Sequence, residues 1–208
     1  MTASELRVAL TFDAEHPSRP PGPAGNAEHL LEVLAARDVR ATFFIQGRWA
    51  TAYPGVAKSI AGEGHTIGSH SHHHAMFTLL SPDGVRADLK SAQEAIAETA
   101  GSDPRPWFRF PFGDGEGDEE LRSALSSLGY RNVGWDVDPD DWDHARTTDE
   151  VLRSVVEGAQ SHGDGAIVLL HTWPGSTGEA LGDIIERLRA EGARFVGVEE
   201  LLDPAGRA

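Results

Sequence analysis

The feature of this sequence that most constrains its fold is a regular alternation of short β-rich segments with segments of helical pattern. The β-rich runs are Leu6 to Phe12, Val39 to Ile45, His65 to His70, Trp107 to Phe112, Tyr130 to Val137, Ala166 to His171 and Arg194 to Val198. Because strands joined by helical crossovers run parallel, the alternation predicts an α/β fold, with the sheet either closed into a β/α barrel or left open. The length of 208 residues favours a distorted, partly open (β/α) barrel of about seven parallel strands.

The helical segments show amphipathic spacing and recognisable boundaries. Glu28 to Arg37 and Glu179 to Glu191 repeat leucine and isoleucine at helical intervals, which is typical of surface helices packed on a sheet. Further helix starts are predicted at Ser81-Pro82 and at Thr147 with Glu150, and helix ends at Gly129 and Gly192. We predict one domain over residues 1–208, with its core at about 7–200 and a loose tail at 203–208, and a stiff loop from Pro17 to Gly25.

Composition limits the chemistry and the partners. The chain has no cysteine, so it forms no disulfides, and any metal must be held by His, Asp, Glu or water. A formal net charge of -15 argues against nucleic acid and anionic membranes as partners and favours a neutral or cationic ligand. The first residues lack the basic and apolar regions of a signal peptide, and no stretch reaches about 18 continuous apolar residues. We therefore expect a cytoplasmic protein, or a secreted one if a leader was removed; the oligomeric state stays open.

Polar residues follow several of the predicted strands. Asp13, His70, Arg109, Asp141 and His171 each lie at or just beyond the end of one run. In parallel α/β folds the carboxyl ends of the strands form the working face. The sequence therefore predicts that these side chains share one rim of the fold.

The densest local signal is a cluster of histidines after the third run. His70 and His74 are four residues apart, so a helical turn after the strand would place both imidazoles on one side, where they can share a metal ion. A polar, exposed loop is the alternative. His72 and His73 are expected to point elsewhere.

The first run ends with two carboxylates, Asp13 and Glu15. A metal held by two histidines commonly takes one carboxylate as well, and a second carboxylate can serve as a base on its water. Ordinary loop acids would give the same pattern.

Five short segments in a fixed order resemble the motifs of the polysaccharide deacetylase family, the NodB-homology domains of carbohydrate esterase family 4. They are Thr11-Phe12-Asp13-Ala14-Glu15, His70-Ser71-His72-His73-His74, Arg109-Phe110-Pro111-Phe112, Asp138-Pro139-Asp140-Asp141-Trp142 and Ile167-Val168-Leu169-Leu170-His171. Each motif is weak alone, but five in order are specific, and they span residues 7 to about 200.

The resemblance implies a metal site and a proton-transfer set. Glu15, His70 and His74 are the implied metal ligands. Two imidazoles and one carboxylate fit zinc first, and cobalt or nickel also. The implied catalytic residues are Asp13 as general base, Arg109 as its partner, Phe112 as a backbone N–H donor to the oxyanion, His171 as general acid and Asp141 as the partner of that imidazole. Trp142 and Leu169 are expected to line the acetyl pocket.

The first motif departs from the usual T-F-D-D-G, because Ala14 stands where the family carries its second aspartate. Some members carry T-F-D-x-D/E, and Glu15 fits that variant as the metal carboxylate. Glutamate is one methylene longer than aspartate, so it can reach the metal from a more distant backbone position.

The resemblance implies a hydrolase that removes acetyl from an N-acetylated sugar, such as a chitooligosaccharide, peptidoglycan or a smaller conjugate. Two alternatives remain open at this stage: an O-acetyl esterase acting on xylan, and a carbohydrate- or metal-binding domain without turnover. Retention of Asp13, Arg109, Asp141 and His171 argues against the last, because binding alone does not require an acid and a base.

Overall fold

A computed structural model describes residues 6–15 and 25–202. The strands are β1 (Leu6–Ala14), β2 (Thr42–Ile45), β3 (Thr66–Ser69), β4 (Trp107–Phe108), β5 (Arg131–Asn132), β6 (Ala166–His171) and β7 (Ala193–Phe195). The helices are α1 (Asn26–Ala36), α2 (Gly47–Ala52), α3 (Pro54–Gly62), α4 (Pro82–Ala100), α5 (Glu119–Ser127), α6 (Thr148–His162), α7 (Gly175–Ala190) and α8 (Val198–Leu202). Short 3-10 turns occupy Phe77–Leu79 and Pro111–Gly113.

The predicted fold class is confirmed. Within the part of the chain that the structure describes, seven strands alternate with helices. Every strand pairing with a described register is parallel, so this is the α/β, distorted and partly open (β/α) barrel class. The described residues divide into two compact units, one made of 6–12, 25–42 and 135–202 and the other of 13–15 and 43–134. The prediction of a single domain stays a prediction. The predicted loop at Pro17 to Gly25, apart from Gly25, and the predicted tail at 203–208 lie outside the described residues.

In the first unit, β1 pairs in parallel with β7, and Leu6 lies opposite Ala193. Strand β6 reads as an unbroken apolar run and is buried along its whole length, as expected for a strand covered on both faces. Helix α7 packs against α1 and α6 and contributes Leu181, Ile184 and Ile185 to the core. Burial of each such side chain stabilises the fold by roughly 1.5–3 kcal/mol.

In the second unit the strand order is β5-β4-β3-β2, and α4 packs against α2 and α3. An aromatic cluster fills the core beside α4, where the Phe77, Phe108 and Phe110 rings meet with centroids 5.1–5.5 Å apart. Such edge-on aromatic contacts add to the stabilisation from burial. This core anchors the segments that follow β3 and β4.

The predicted helix caps are confirmed. The Ser81 hydroxyl accepts from the Gly84 N–H at 3.1 Å at the start of α4, and Thr147 with Glu150 forms a reciprocal capping box at the start of α6. Gly192 follows the end of α7 with φ 88°, a left-handed conformation that glycine adopts without strain.

Four of the predicted strand runs differ in their boundaries from the structure. The run Trp107 to Phe112 ends as a strand at Phe108, because the 3-10 turn at Pro111–Gly113 follows. The run Tyr130 to Val137 is a strand only at Arg131–Asn132, since the next two carbonyls accept from the Arg109 side chain instead of extending the ladder. Residues 39–41 do not join β2, and α8 begins at Val198, where the seventh strand was expected to end.

Candidate metal centre and catalytic residues

Three side chains converge beyond the ends of β1 and β3. Glu15, His70 and His74 are buried, and their ligand atoms all lie within 4.8 Å of one another. The His70 and His74 Nε2 atoms are 3.1 Å apart, His70 Nε2 lies 3.3 Å from Glu15 Oε2, and His74 Nε2 also contacts Glu15 Oε2. Two imidazoles and one carboxylate form a donor set that suits a divalent transition metal. This group could therefore hold a metal.

The His70 ring is held in the tautomer that a metal ligand needs. Its Nδ1 donates to the Arg109 carbonyl at 3.0 Å, which leaves the Nε2 lone pair facing His74 and Glu15. Burial lowers the pKa of His70, but the charge of Asp13 and the hydrogen bond and charge of Glu15 outweigh burial and raise that pKa above its ordinary value. The surroundings of this imidazole thus favour positive charge at its position.

The segment 70–74 is not helical, so the expected helical turn is wrong although the two imidazoles do meet. Ser71 and His74 have φ of 64° and 59°, a left-handed conformation that costs on the order of 1–3 kcal/mol per residue. Hydrogen bonds offset this cost. The Ser71 hydroxyl accepts from the His74 N–H at 2.9 Å, and the Asp88 carboxylate accepts from the N–H groups of His72 and His73. His72 and His73 are not in the metal-ligand group, as expected.

Arg109 follows β4 and forms a buried ion pair with Asp13. Its Nη1 lies 2.9 Å from Asp13 Oδ1, and both side chains are almost fully buried. The other guanidinium nitrogens donate to the carbonyls of Val133 and Gly134, and the guanidinium lies over the Phe44 ring. An arginine anchored by these hydrogen bonds fixes the direction of the Asp13 carboxylate. The second oxygen of Asp13 lies 3.5 Å from His70 Nε2.

Phe112 lies in the 3-10 turn after Arg109 and has a left-handed backbone, with φ 59° and ψ 8°. Its side chain is largely exposed, and its ring meets the His74 ring edge-on with centroids 4.5 Å apart. A non-glycine residue held at positive φ indicates that the backbone direction, rather than burial of the ring, determines this position.

In the first unit, His171 at the end of β6 is bound to Asp141. The His171 Nδ1 lies 2.7 Å from Asp141 Oδ1, and Asp141 Oδ2 accepts from the His171 backbone N–H at 2.8 Å and from the Thr177 hydroxyl at 2.5 Å. All three side chains are buried. The Nδ1 contact to a carboxylate orients the imidazole and leaves Nε2 for proton transfer.

The two predicted pocket residues differ in exposure. Trp142, next to Asp141, is 48% exposed, so about half of its surface is open to a ligand. Leu169 is buried within β6, and its N–H donates to the Val137 carbonyl at 2.9 Å. Their role as acetyl-pocket residues stays a prediction.

The sequence analysis did not single out two buried polar residues that hold parts of the site: Asp88, which accepts from the loop after His70, and Thr177, which donates to Asp141. Asp88 is a buried acid on α4, in line with the apolar residues Val85, Leu89 and Ala92, and Thr177 occupies the apolar face of α7 ahead of Leu181. A polar residue within an apolar helical stripe is the signal that marks both, because a buried polar group needs a partner.

The chain thus has an α/β fold in which strand ends carry a buried two-histidine, one-carboxylate donor set that could hold a divalent metal. The particular family follows from direct comparison. The sequence profile described as polysaccharide deacetylase matches residues 1–133, so the chain belongs to the polysaccharide deacetylase family, and the resemblance seen in the motifs is confirmed.

Three relatives show the breadth of that family. The chain is 33% identical over 195 residues to the peptidoglycan-N-acetylglucosamine deacetylase of Listeria monocytogenes, covering 94% of this chain but only 38% of that protein. It is 31% identical to the peptidoglycan-N-acetylmuramic acid deacetylase of Bacillus subtilis, covering 95% of this chain and 72% of the relative. It also matches the crystal structure of a carbohydrate esterase family 4 pseudoenzyme from Bacillus anthracis with a TM-score of 0.84 and 30% identity, covering 96% and 66% of the two chains. A mutant of that pseudoenzyme has restored enzymatic activity.

Proposed function

We propose that this chain is a metal-dependent hydrolase that removes acetyl groups from N-acetylated sugars. The observation that carries the proposal is the buried Asp13–Arg109 pair beside the Glu15, His70 and His74 donor set. A metal-binding module needs only the donor set. A carboxylate held in place by a buried arginine next to that set is what a hydrolytic reaction requires of a general base.

Glu15, His70 and His74 would hold the metal, with zinc proposed first and cobalt or nickel as alternatives, because all three accept imidazole and carboxylate ligands. When bound, such an ion supplies Lewis-acid chemistry, lowering the pKa of a water molecule and polarising a carbonyl.

The side chains of the second unit act on the water and on the acyl group. Asp13 accepts the proton of the attacking water at the oxygen that Arg109 leaves free, and Arg109 holds the carboxylate in the direction needed for that transfer. The Phe112 backbone N–H donates to the oxygen on which negative charge develops, a contribution of about 3 kcal/mol for a fixed donor. The left-handed backbone of Phe112 supports this role, since it fixes the direction of that N–H.

His171 donates a proton from Nε2 to the departing amine. Asp141 stabilises the imidazolium through Nδ1 and is itself held by the Thr177 hydroxyl. An amine leaves poorly unless it is protonated, so a buried and oriented acid favours amide cleavage more than ester cleavage, where an alkoxide departs more readily.

The substrate class rests on the relatives and on charge. The Listeria and Bacillus subtilis relatives are named for N-acetylglucosamine and N-acetylmuramic acid units of peptidoglycan. A net charge of -15 suits a neutral sugar, and deacetylation turns it into a cationic amine. Trp142 and Leu169 are proposed to line the acetyl pocket, the first through its exposed indole and the second from β6.

The pseudoenzyme relative raises a second candidate, a carbohydrate-binding domain without turnover. The fold alone does not distinguish the two, but the intact base, its arginine and the His171–Asp141 pair favour catalysis.

The deciding experiment measures acetate release from N-acetylglucosamine oligomers, from peptidoglycan and from acetylated xylan. The protein is used as purified, after chelation, and after reloading with Zn²⁺, Co²⁺ or Ni²⁺. Metal-dependent release from the N-acetylated substrates supports the proposal. Release only from xylan would reassign the chain as an O-acetyl esterase. Metal-loaded protein that binds the oligomers without releasing acetate would show a binding domain.

A further inference from the structure

The loop that carries both candidate histidine ligands is fixed from outside the metal centre. Residues 70–74 leave β3 without forming a helix, and two of them, Ser71 and His74, have a left-handed backbone. His70 and His74 stand at the two ends of this loop. The distance between their imidazoles therefore depends on the backbone conformation of the residues between them.

A single buried side chain holds the middle of the loop. Asp88 lies on α4, and its carboxylate accepts from the His72 backbone N–H at 2.7 Å and from the His73 backbone N–H at 3.1 Å. The residue is only 6% exposed. Hydrogen bonds from backbone N–H groups to a buried carboxylate are charge-assisted and directional. Asp88 thus gives two consecutive N–H groups of an irregular loop their acceptors.

Helix α2 holds the loop as well. The Gly47 N–H donates to the Ser71 carbonyl at 2.9 Å, and a Cβ on Gly47 would collide with the His72 ring. Helix α4 spans 19 residues and packs against α2 and α3, so Asp88 is presented by a rigid element. The loop is clamped between two helices that contribute no ligand to the metal group.

We propose that Asp88 is a positioning residue for the metal centre. It keeps the loop in the conformation that brings the Nε2 atoms of His70 and His74 within 3.1 Å of each other and against Glu15. Neither oxygen of Asp88 is in the metal-ligand group, so it acts through the backbone. This inference rests on the metal site of the proposed function and goes beyond it, because it assigns metal affinity to a residue outside the donor set.

The test is a Co²⁺ titration of metal-free protein, followed by visible absorption, which reports both affinity and ligand geometry. Asp88→Asn keeps the size of the side chain but replaces one acceptor oxygen with an amide group that cannot accept. We expect Co²⁺ binding about 10–100-fold weaker than in the wild type, the effect typical of partners that orient metal ligands. Asp83→Asn is the matched control, since Asp83 lies exposed on the same helix and pairs with Arg86. The Co²⁺ affinity of this variant should equal that of the wild type.

Failure of the metal site and failure of the Asp88 role give different results in this titration. No Co²⁺ binding by the wild type would overturn the metal site on which the inference rests. Binding by the wild type with equal affinity in Asp88→Asn would overturn the role of Asp88, even if the variant melts at a lower temperature, because a merely structural residue changes stability without changing affinity.

A measurement on the wild type covers the case in which Asp88→Asn does not fold. In the metal-free protein, the backbone amides of His72 and His73 should exchange hydrogen slowly, because Asp88 accepts from both. Fast exchange at these two amides, at the rate of exposed loop amides, would contradict the clamp.

Discussion

The Arg109 guanidinium donates to the Asp13 carboxylate at 2.9 Å, in a pair that buries both charges. The pair connects the end of β1 with the segment after β4. Because the guanidinium also donates to two backbone carbonyls, its position is fixed, and it orients the Asp13 carboxylate beside the candidate metal ligands. We therefore expect both the stability of the fold and the proposed base role of Asp13 to depend on this ion pair.

Arg109→Met should lower the free energy of unfolding by about 3–5 kcal/mol, because it leaves the Asp13 carboxylate buried without its countercharge. Urea denaturation at pH 7 measures this directly. The matched control is Arg105→Met in the same unit, whose pair with Asp103 is exposed and screened by solvent, so the variant should lose much less stability than Arg109→Met. Equal losses of unfolding free energy in the two variants would show that the buried Arg109 pair stabilises the fold no more than an exposed pair.

Asp13→Asn should reduce deacetylation by about 10²–10⁴-fold, since an amide cannot accept the proton of water. Metal content should remain at the wild-type level, because Glu15, His70 and His74 are untouched. Turnover and metal content are measured on the same preparation. Wild-type turnover in this variant would remove Asp13 from the role of base.

The fold was predictable because its signals are local. Strand β6 is visible as a continuous apolar run, and the caps of α4 and α6 are formed by the residues that the sequence indicates. The errors occur where tertiary contacts override the local pattern. The run Tyr130 to Val137 is rich in strand formers, yet it leaves the sheet early, because the carbonyls of Val133 and Gly134 accept from Arg109.

The candidate site was predictable residue by residue, but its supports were not. Motif spacing predicts His70 and His74 as metal ligands, and their imidazoles do meet. The helical turn between them is absent, because the Ser71 hydroxyl takes the His74 N–H that a helical turn would bond to the His70 carbonyl. Asp88 and Thr177 are remote in sequence from the groups they hold. Only the folded chain shows those partners.

Glu15→Gln should weaken metal binding by more than the about 10–100-fold typical of outer partners, because it replaces a charged donor of the ligand set itself. Metal content after dialysis, measured by plasma emission, tests this. Glu94→Gln, an exposed change on α4, is the control. Unchanged metal content in Glu15→Gln would show that Glu15 is not a ligand. Glu15 would then not replace the aspartate that the family carries at the position of Ala14.

Thr177→Val should lower kcat by about tenfold with little change in KM, because the Thr177 hydroxyl donates to the Asp141 carboxylate that orients His171. A tenfold change corresponds to about 1.4 kcal/mol, close to the about 1.5–3 kcal/mol of a hydrogen bond to a charged group. Valine preserves the volume of the side chain. Thr177→Ser restores the donor and should recover most of the activity. If valine and serine reduce kcat equally, packing rather than the hydrogen bond explains the effect.

Asp164→Asn should destabilise the protein at neutral pH and lose its effect in acid. Arg7 donates to Asp164 from its side chain and its backbone N–H, and these hydrogen bonds lower the pKa of Asp164 to about 2. A carboxyl whose pKa is lower in the folded than in the unfolded chain stabilises the fold above the unfolded pKa, and that stabilisation disappears as the pH falls through the folded pKa.

The difference in unfolding free energy between wild type and Asp164→Asn should therefore be constant above about pH 5 and shrink between about pH 4 and pH 2. Because the Arg7–Asp164 pair is exposed, solvent screening keeps this difference small. Urea denaturation across this pH range measures the difference, with Asp183→Asn, an exposed change on α7, as the control. A difference that grows on acidification would contradict the direction of the pKa change, since the stabilising form of Asp164 is the charged one.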